Sequence, residues 1–258
     1  MAELVDNDRV RRAVAAFAAE PKHETMLDVL RACLTGELLL DVTGSELNIS
    51  EGRLHTGSKL RINQRVGPDG QRALLAFTSN DEIARIHPEG TRYQSIAQPA
   101  AAVLELARRQ GAAWLYIDPA EKTAALSASD IDFALRHPRN DRLSAAIAAV
   151  ETGTASRAEA ITALVAEGPL LLAGQRAEGQ GDDEPPQLRV TRRGDGSMAL
   201  LAFTSAPEIL ARDPHDGIVT TTTTHVLEQL QQGPFASIVI NPAGPWIELS
   251  REELVAAG

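Results

Sequence analysis

The chain has 258 residues, of which 43% are hydrophobic, 23% charged and 3% aromatic, and its formal net charge is −10. These values are typical of a globular protein and argue against intrinsic disorder. The acidic balance and the scarcity of aromatic side chains argue against a nucleic-acid partner, because phosphates would be repelled and few rings are present to stack on bases.

The chain has no apparent segment for export or for spanning a membrane. Its N-terminus, from Met1 to Asp8, is acidic, whereas a secretory signal begins with basic residues and continues into an apolar stretch. Apolar runs such as Trp114–Ile117 are far shorter than the roughly 18 residues that a membrane span requires. The single cysteine, Cys33, cannot form an internal disulfide and fits a reducing compartment. We therefore expect a cytoplasmic protein without a membrane partner.

The first half of the chain predicts two opening helices, followed by short strands and further helices. Apolar residues recur at helical spacing near the N-terminus, as Val10, Val14 and Phe17 do. Turn-forming residues at 67–70 and at 119–122 separate strand-like runs, so each predicts a hairpin. In chain order we expect helices at 8–20 and 24–34, strands at 37–43, 59–66, 72–78, 91–97, 112–118 and 123–126, a helix at 98–110 between the fourth and fifth strands, and a closing helix at 128–136.

The second half repeats the first. Four blocks match in the same order: Asn7–Arg9 with Asn140–Arg142, Gly36–Leu40 with Gly168–Leu172, Leu74–Ser79 with Leu200–Ser205, and Ile117–Ala120 with Ile240–Ala243. Such an ordered set indicates a tandem duplication. The corresponding helices are expected at 141–151, 156–166, 224–232 and 250–257, and the strands at 169–176, 187–193, 197–204, 217–223, 236–241 and 245–249.

These elements predict an α+β fold in two tandem copies, each with two opening helices, a mixed or antiparallel sheet with hairpins, and further short helices. A proline within 136–139 follows the last helix of the first copy, so we place the copies at 1–137 and 138–258. The irregular stretches at 43–58 and 176–187 occupy the same place in both copies and are expected to be loops.

The repeated block has the order Leu-Ala-Phe-Thr-Ser-x-x-Glu-Ile, followed by a proline and later by an Ile-Asp-Pro or Ile-Asn-Pro hairpin. This order resembles the N-terminal domain of the SseB (enhanced serine sensitivity) family of bacterial proteins, present twice. The resemblance covers roughly 7–136 and 140–258 and implies the same fold in both halves. It implies no activity and no catalytic residues.

One motif recurs in both copies and is interpreted as structural: Phe77, Thr78, Ser79, Glu82, Phe203, Thr204, Ser205 and Glu208. Each serine follows a strand and opens a helix, and a glutamate follows three residues later, which is the pattern of a capping box. We therefore expect Ser79 and Ser205 to cap helices. A nucleophilic serine, the alternative, would need a base that recurs in both copies, and none does. Thr220–Thr224 before His225 is also expected to end a strand, with the last threonine as a helix N-cap.

No catalytic, cofactor-binding or metal-binding residues are predicted. The histidines do not align between the copies, since His87 lies opposite Asp213 and His55 has no counterpart. Cys33 lies opposite Val165 on a helix face, as a small core hydrophobe would. The sequence contains no phosphate-binding loop, no His-Glu-x-x-His and no paired cysteines, so neither a cofactor nor a metal is expected.

The sequence favours a non-catalytic cytoplasmic binding or scaffold protein whose partner is another protein, and it leaves the oligomeric state open. The alternative is an enzyme or small-ligand binder with a site in the cleft between the two copies. Such a site would use residues found in one copy only, such as Asp81, His87, Asp213 or His215. A third interpretation is that one copy binds a ligand and the other has become structural.

Overall fold

The computed structural model describes residues 5–46, 49–50, 53–54, 57, 59–175 and 186–256. The chain divides into two compact units, Met1–Asp132 and Phe133–Gly258, and each has its own sheet and helices. The division falls inside a helix, shortly before the proline-containing joint at 136–139.

The first unit follows the predicted order of elements. Its helices are α1 (Asp8–Ala19), α2 (His23–Ala32), α3 (Asn80–Ile86), α4 (Ala100–Arg109) and α5 (Ala128–Arg136), which continues into the second unit. Its strands are β1 (Glu37–Asp41), β2 (Ile49–Ser50), β3 (Arg53–Leu54), β4 (Gln64–Val66), β5 (Arg72–Ala76), β6 (Ser95–Pro99), β7 (Trp114–Ile117) and β8 (Ala124–Ser127).

The second unit repeats the same succession. Its helices are α6 (Asp141–Glu151), α7 (Arg157–Val165), α8 (Ala206–Arg212), α9 (Thr223–Gln232) and α10 (Arg251–Val255). Its strands are β9 (Pro169–Gln175), β10 (Gln187–Leu188), β11 (Val190–Arg192), β12 (Met198–Phe203), β13 (Gly217–Thr222), β14 (Phe235–Ile240) and β15 (Ile247–Ser250). The predicted α+β class and the tandem arrangement are confirmed.

Both units have the same strand order. In the second, the main path is β13-β9-β12-β14-β15, with β12 and β14 parallel and the other pairs antiparallel. In the first, β6-β1 and β5-β7-β8 follow the same order, and a bridge between Leu39 and Phe77 joins them. The parallel pair is β5 and β7, so β5-α3-β6-α4-β7 is a crossover connection.

Several predicted strands are shorter in the structure. The run at 59–66 is a strand only at β4, and Lys59 forms an isolated bridge with Glu46. The run at 187–193 is divided, since β10 pairs with β9 whereas β11 pairs with β12. The expected loop at 43–58 contains the short pair β2 and β3, and the stretch 176–185 lies outside the described residues.

The cores follow the alternation of side chains along the central strands. In the second unit, one sheet face packs on α6, α7 and α9, and the other buries Leu201 and Phe203 against Ile209 of α8. The first unit buries the equivalent cluster of Leu75, Phe77 and Ile83. The repeated sequence block therefore encodes a strand and the short helix that packs on it.

Candidate functional site

The repeated blocks meet at the carboxyl ends of the parallel strands. Thr78 follows β5 and Asp118 follows β7, and both are buried. The backbone N–H and the hydroxyl of Thr78 donate to the two carboxylate oxygens of Asp118, at 2.8 and 2.7 Å. Asp118 adopts a positive φ of 51°, a region that aspartate and asparagine tolerate better than most residues. This buried clamp ties the two central strands together at one edge.

The second unit builds the same clamp without a charge. Asn241, also at a positive φ of 54°, accepts from the backbone N–H of Thr204 at 2.9 Å. Its side-chain amide donates to the hydroxyl of Thr204, also at 2.9 Å. An asparagine therefore satisfies every contact that this position makes with its threonine.

The Asn-Asp-Arg block positions the first helix beside this clamp. The backbone N–H of Asn7 donates to the carbonyl of Thr78 at 2.9 Å, and its side chain accepts from Val10 as the N-cap of α1. Asn140 does the same in the second unit, with Thr204 and Leu143.

The Gly36 block gives Asn7 the room it needs. A Cβ at Gly36 would lie 2.9 Å from the side-chain nitrogen of Asn7, and a Cβ at Gly168 would lie at the same distance from that of Asn140. Both glycines therefore permit a close approach of the backbone to the helix cap.

The prediction that Ser79 and Ser205 form capping boxes is wrong. Both serines occupy the N-cap positions of α3 and α8, but neither hydroxyl makes a capping hydrogen bond. Glu82 is buried and accepts instead from Arg85 at 2.6 Å, so it does not reach back to the cap.

The threonine cap of α9 is displaced from its expected position. Thr222, two residues before the last threonine of the run, caps the helix by accepting from the backbone N–H of His225 at 3.2 Å. Thr223 and Thr224 already belong to the helix.

A cleft of about 400 Å³ opens beside Asp118 in the first unit. Its walls are α1, α3 and the β7–β8 turn, and Ser79 lies on its surface. Most of the lining side chains are charged: Asp8, Arg11, Arg12, Asp81, Glu82, Arg85, Asp118, Glu121 and Lys122. A cleft at the carboxyl ends of parallel strands is a common place for ligand binding in sheets with crossover helices.

The arginines of this cleft are paired with carboxylates of the same unit. Arg11 pairs with Asp6, and Arg12 lies 3.2 Å from Asp8 one helical turn away. The Nε atom of Arg11 is buried without a hydrogen-bond partner among the described residues.

Arg85 is paired on the opposite wall. It lies 2.6 Å from Glu82 and 3.8 Å from Glu121. By contrast, no basic side chain among the described residues forms an ion pair with Asp118 or Asp81.

Burial raises the pKa of Asp118 to about 6, although the hydrogen bonds from Thr78 lower it. The negative charge of Glu82 raises this pKa further, and the positive charge of Arg11 lowers it. Asp118 is therefore a buried carboxyl group that changes its charge just below neutral pH, at the surface of a charged cleft. Perturbed ionisable groups of this kind are enriched at functional sites.

The second unit lacks most of these charges. At the positions that the repeat makes equivalent, Arg11 is replaced by Ser144, Arg12 by Ala145, Asp81 by Pro207, Arg85 by Ala211, Asp118 by Asn241, Glu121 by Gly244 and Lys122 by Pro245. The glutamate of the motif is kept, as Glu82 and Glu208. The two copies thus share a fold and differ in the charged side chains at the carboxyl ends of their parallel strands.

Of the four residues considered for a site between the copies, only Asp81 lines the cleft. His87 lies beyond the other end of α3, where its Nε2 is 2.9 Å from the buried carboxylate of Asp41 and its ring stacks on Tyr93. Burial alone would raise the pKa of Asp41, but hydrogen bonds from Thr43, from Asn63 and from His87 outweigh it and lower this pKa.

Asp213 and His215 contribute to a local network in the second unit. Asp213 accepts from the backbone N–H of His215 at 3.0 Å and lies 3.5 Å from Arg189. The buried Asp216 binds both Arg189 and Arg212, at 2.6 and 2.8 Å. These contacts satisfy buried charges, and the four residues are not brought together in one site within either unit.

Cys33 is fully buried, as expected for a core residue. Burial, reinforced by the charge of Asp118, raises the pKa of its thiol to about 12. His55 lies outside the described residues. In the described part of the chain, no helix is long and apolar enough to cross a membrane, and no three His, Cys, Asp or Glu side chains are grouped to hold a metal ion.

Fold and cleft together define a tandem α+β protein whose two copies share one architecture, with a charged cleft in the first. The model of the family described as SseB protein N-terminal domain matches the chain twice, over residues 10–132 and 143–256. The chain therefore belongs to the SseB family, with two tandem copies of that domain. Neither a curated protein nor a solved structure matches it.

Proposed function

We propose that this chain is a non-catalytic cytoplasmic binding protein, in which the cleft of the first copy contacts a partner protein and the second copy serves as scaffold. The observation that supports this most is the buried carboxyl group of Asp118 in a charged cleft, at a position where the second copy has asparagine. Because Asn241 preserves the contacts of the clamp, the fold does not need a charge at this place.

The difference between the copies fits a first copy that binds the partner and a second copy that serves as scaffold. Arg12, Arg85 and Lys122 have no charged counterpart in the second copy, although the surrounding cores are equivalent. The second copy forms the same fold without these charges, so in the first copy they are free to serve recognition.

A second candidate is an enzyme or small-ligand binder that uses this same cleft, in place of one between the copies. Its volume lies within the roughly 300–1,000 Å³ of small-ligand pockets, and Asp118 has a pKa suited to proton transfer near neutral pH. The first candidate is preferred because a ligand pocket is usually lined by apolar side chains, whereas this cleft is lined mainly by charges.

The test is affinity capture from the organism that encodes the protein, with two variants of equal net charge. The double substitution Arg85→Ala and Asp118→Asn installs the residues of the second copy in the cleft. The control, Glu89→Gln with Arg109→Ala, removes one charge of each sign from exposed positions that do not line it. We expect a partner to be retained by the wild type and by the control and lost from the cleft variant. Equal retention by all three would contradict the proposal.

A further inference from the structure

We propose that the cleft of the first copy binds a guanidinium group, presented as an arginine side chain by a partner protein, and that Asp118 receives it. This rests on the function proposed above and names the chemistry that the cleft recognises. It also assigns a role to the one buried carboxyl group of this cleft that the fold could replace with an amide.

The balance of charges in the cleft favours a cation. The lining has five carboxylates and four basic side chains, so one carboxylate is in excess. Its three arginines are paired with carboxylates of the same unit, whereas Asp118, Asp81 and Lys122 form no ion pair with any described residue. The whole chain also has a net charge of −10, so a basic partner would be attracted to it.

The hydrogen bonds of Asp118 leave acceptor positions for a further donor. A carboxylate has about four acceptor positions, two on each oxygen. Thr78 uses one on each oxygen, through its N–H and its hydroxyl, so one acceptor position remains on each. Because Thr78 already bridges the two oxygens side by side, a guanidinium can donate one N–H group to one of them. Its four other N–H groups remain for further carboxylates that line the cleft, whereas an ammonium group presents a single point charge.

Burial makes the negative charge of Asp118 unfavourable in the free protein. Asp118 is 3% exposed, and an ionised carboxylate so far from water is stabilised strongly by a cation that arrives with matching hydrogen bonds. The second copy avoids this cost with Asn241. The first copy keeps the charge, which is consistent with a cationic ligand.

The groups around Asp118 predict how binding depends on pH. Charged or titratable groups surround it on every packed element: Asp8, Arg11 and Arg12 of α1, Cys33 at the end of α2, Asp81, Glu82 and Arg85 of α3, and Glu121 and Lys122 of the β7–β8 turn. Cys33 stays neutral, since its pKa is about 12, so Asp118 is the group that titrates near pH 6. Binding of a cation should therefore weaken about tenfold between roughly pH 7.5 and pH 5.

The test is calorimetric titration of the full chain with N-acetyl-arginine amide, and with the citrulline analogue as an uncharged probe of the same shape. We expect the arginine probe to bind at millimolar concentration and the citrulline probe to bind at least tenfold more weakly. Asp118→Asn should weaken binding of the arginine probe at least tenfold. Glu89→Gln removes one exposed carboxylate outside the cleft and should change the affinity for this probe less than twofold.

A second arm identifies the source of the guanidinium. n-Butylguanidine has the same head group and the same single positive charge without a peptide backbone, and it is expected to bind more weakly than the arginine amide. Tighter binding of n-butylguanidine would overturn the assignment to a partner protein.

The proposal is overturned if the arginine and citrulline probes bind equally, if neither binds, or if Asp118→Asn binds as the wild type does. A thermal melt of Asp118→Asn shows whether the variant is folded. If partner capture depends on the cleft but the arginine probe does not bind, the proposed function stands and the guanidinium assignment fails. If the wild type and the cleft variant retain the partner equally, the proposed function itself fails.

Discussion

The substitution Asp118→Asn is expected to stabilise the first unit at neutral pH. The folded pKa of this carboxyl is about 6, raised chiefly by burial, whereas an aspartate in an unfolded chain has a pKa of about 3.9. Between these values the folded protein holds a proton that the unfolded chain releases, so stability falls as the pH rises through this window. The difference of about 2 between the folded and unfolded pKa corresponds to about 3 kcal/mol of stability, which is present below the unfolded pKa and lost above the folded pKa.

Asparagine removes this penalty and keeps the clamp. In the second copy, Asn241 accepts from the N–H of Thr204 and donates to its hydroxyl, and the same geometry is open to an asparagine beside Thr78. The gain in the free energy of unfolding should therefore be close to zero near pH 4 and approach about 3 kcal/mol near pH 8.

The assay is urea unfolding at a series of pH values, with Trp114 fluorescence as the probe of the first unit. Trp246 is 56% exposed, so Trp246→Phe provides a background in which Trp114 is the single tryptophan. The reverse exchange, Asn241→Asp, is the matched control and should destabilise the second unit near pH 8, followed by Trp246 fluorescence in a Trp114→Phe background. A gain from Asp118→Asn that is the same at every pH, or a loss near pH 8, would refute the reasoning.

Further outcomes test the caps, the second buried carboxylate and the thiol. Ser250→Ala should cost about 1 kcal/mol in urea unfolding because Ser250 forms a capping box, whereas Ser205→Ala should cost much less; equal losses would contradict the assignment. Asp41 has a lowered pKa, so its contribution is present above the unfolded pKa and lost as the pH falls. Asp41→Asn should thus destabilise by about 1–3 kcal/mol near pH 7 and by less below about pH 4, and a pH-independent loss would argue against it. Cys33 should resist iodoacetamide in the native protein and react after unfolding, which mass spectrometry measures; rapid native labelling would contradict its burial.

The duplication was predictable from sequence because the matching blocks encode contacts that the fold requires. Asn7, Gly36 and Thr78 come from three separate blocks, and the structure joins them around one helix cap. The blocks recur because each contact needs a specific side chain or the absence of one. Their meeting point was not predictable, since it depends on the strand order.

The capping prediction failed for a reason that the local pattern does not contain. Ser-x-x-Glu forms a capping box at Ser156 and Ser250, where the glutamates Glu159 and Glu253 accept from the serine N–H. The same pattern at Ser79 begins a helix whose glutamate is buried and bonded to an arginine. Tertiary burial of the glutamate decides between the two outcomes.

The cleft is assembled from residues far apart in the chain, which is why its charges suggest no site when taken one at a time. Arg11, Arg85 and Asp118 come from a helix, a short crossover helix and a hairpin turn. The sequence did contain one signal, the exchange of Asp118 for Asn241 within a repeated Ile-x-Pro block. A comparison of the copies by charge, instead of by identity, would have singled out this position.

The most direct test of the central claim is a carbon-detected NMR titration of the Asp118 carboxyl, without and with saturating N-acetyl-arginine amide. The account predicts a pKa of about 6 in the free protein, raised chiefly by burial, and a clear decrease when the probe is bound, because a cation favours the ionised form. An ordinary aspartate pKa in the free protein, or a raised pKa that the probe leaves unchanged, would contradict the claim that Asp118 is a buried carboxyl group kept for a cationic partner.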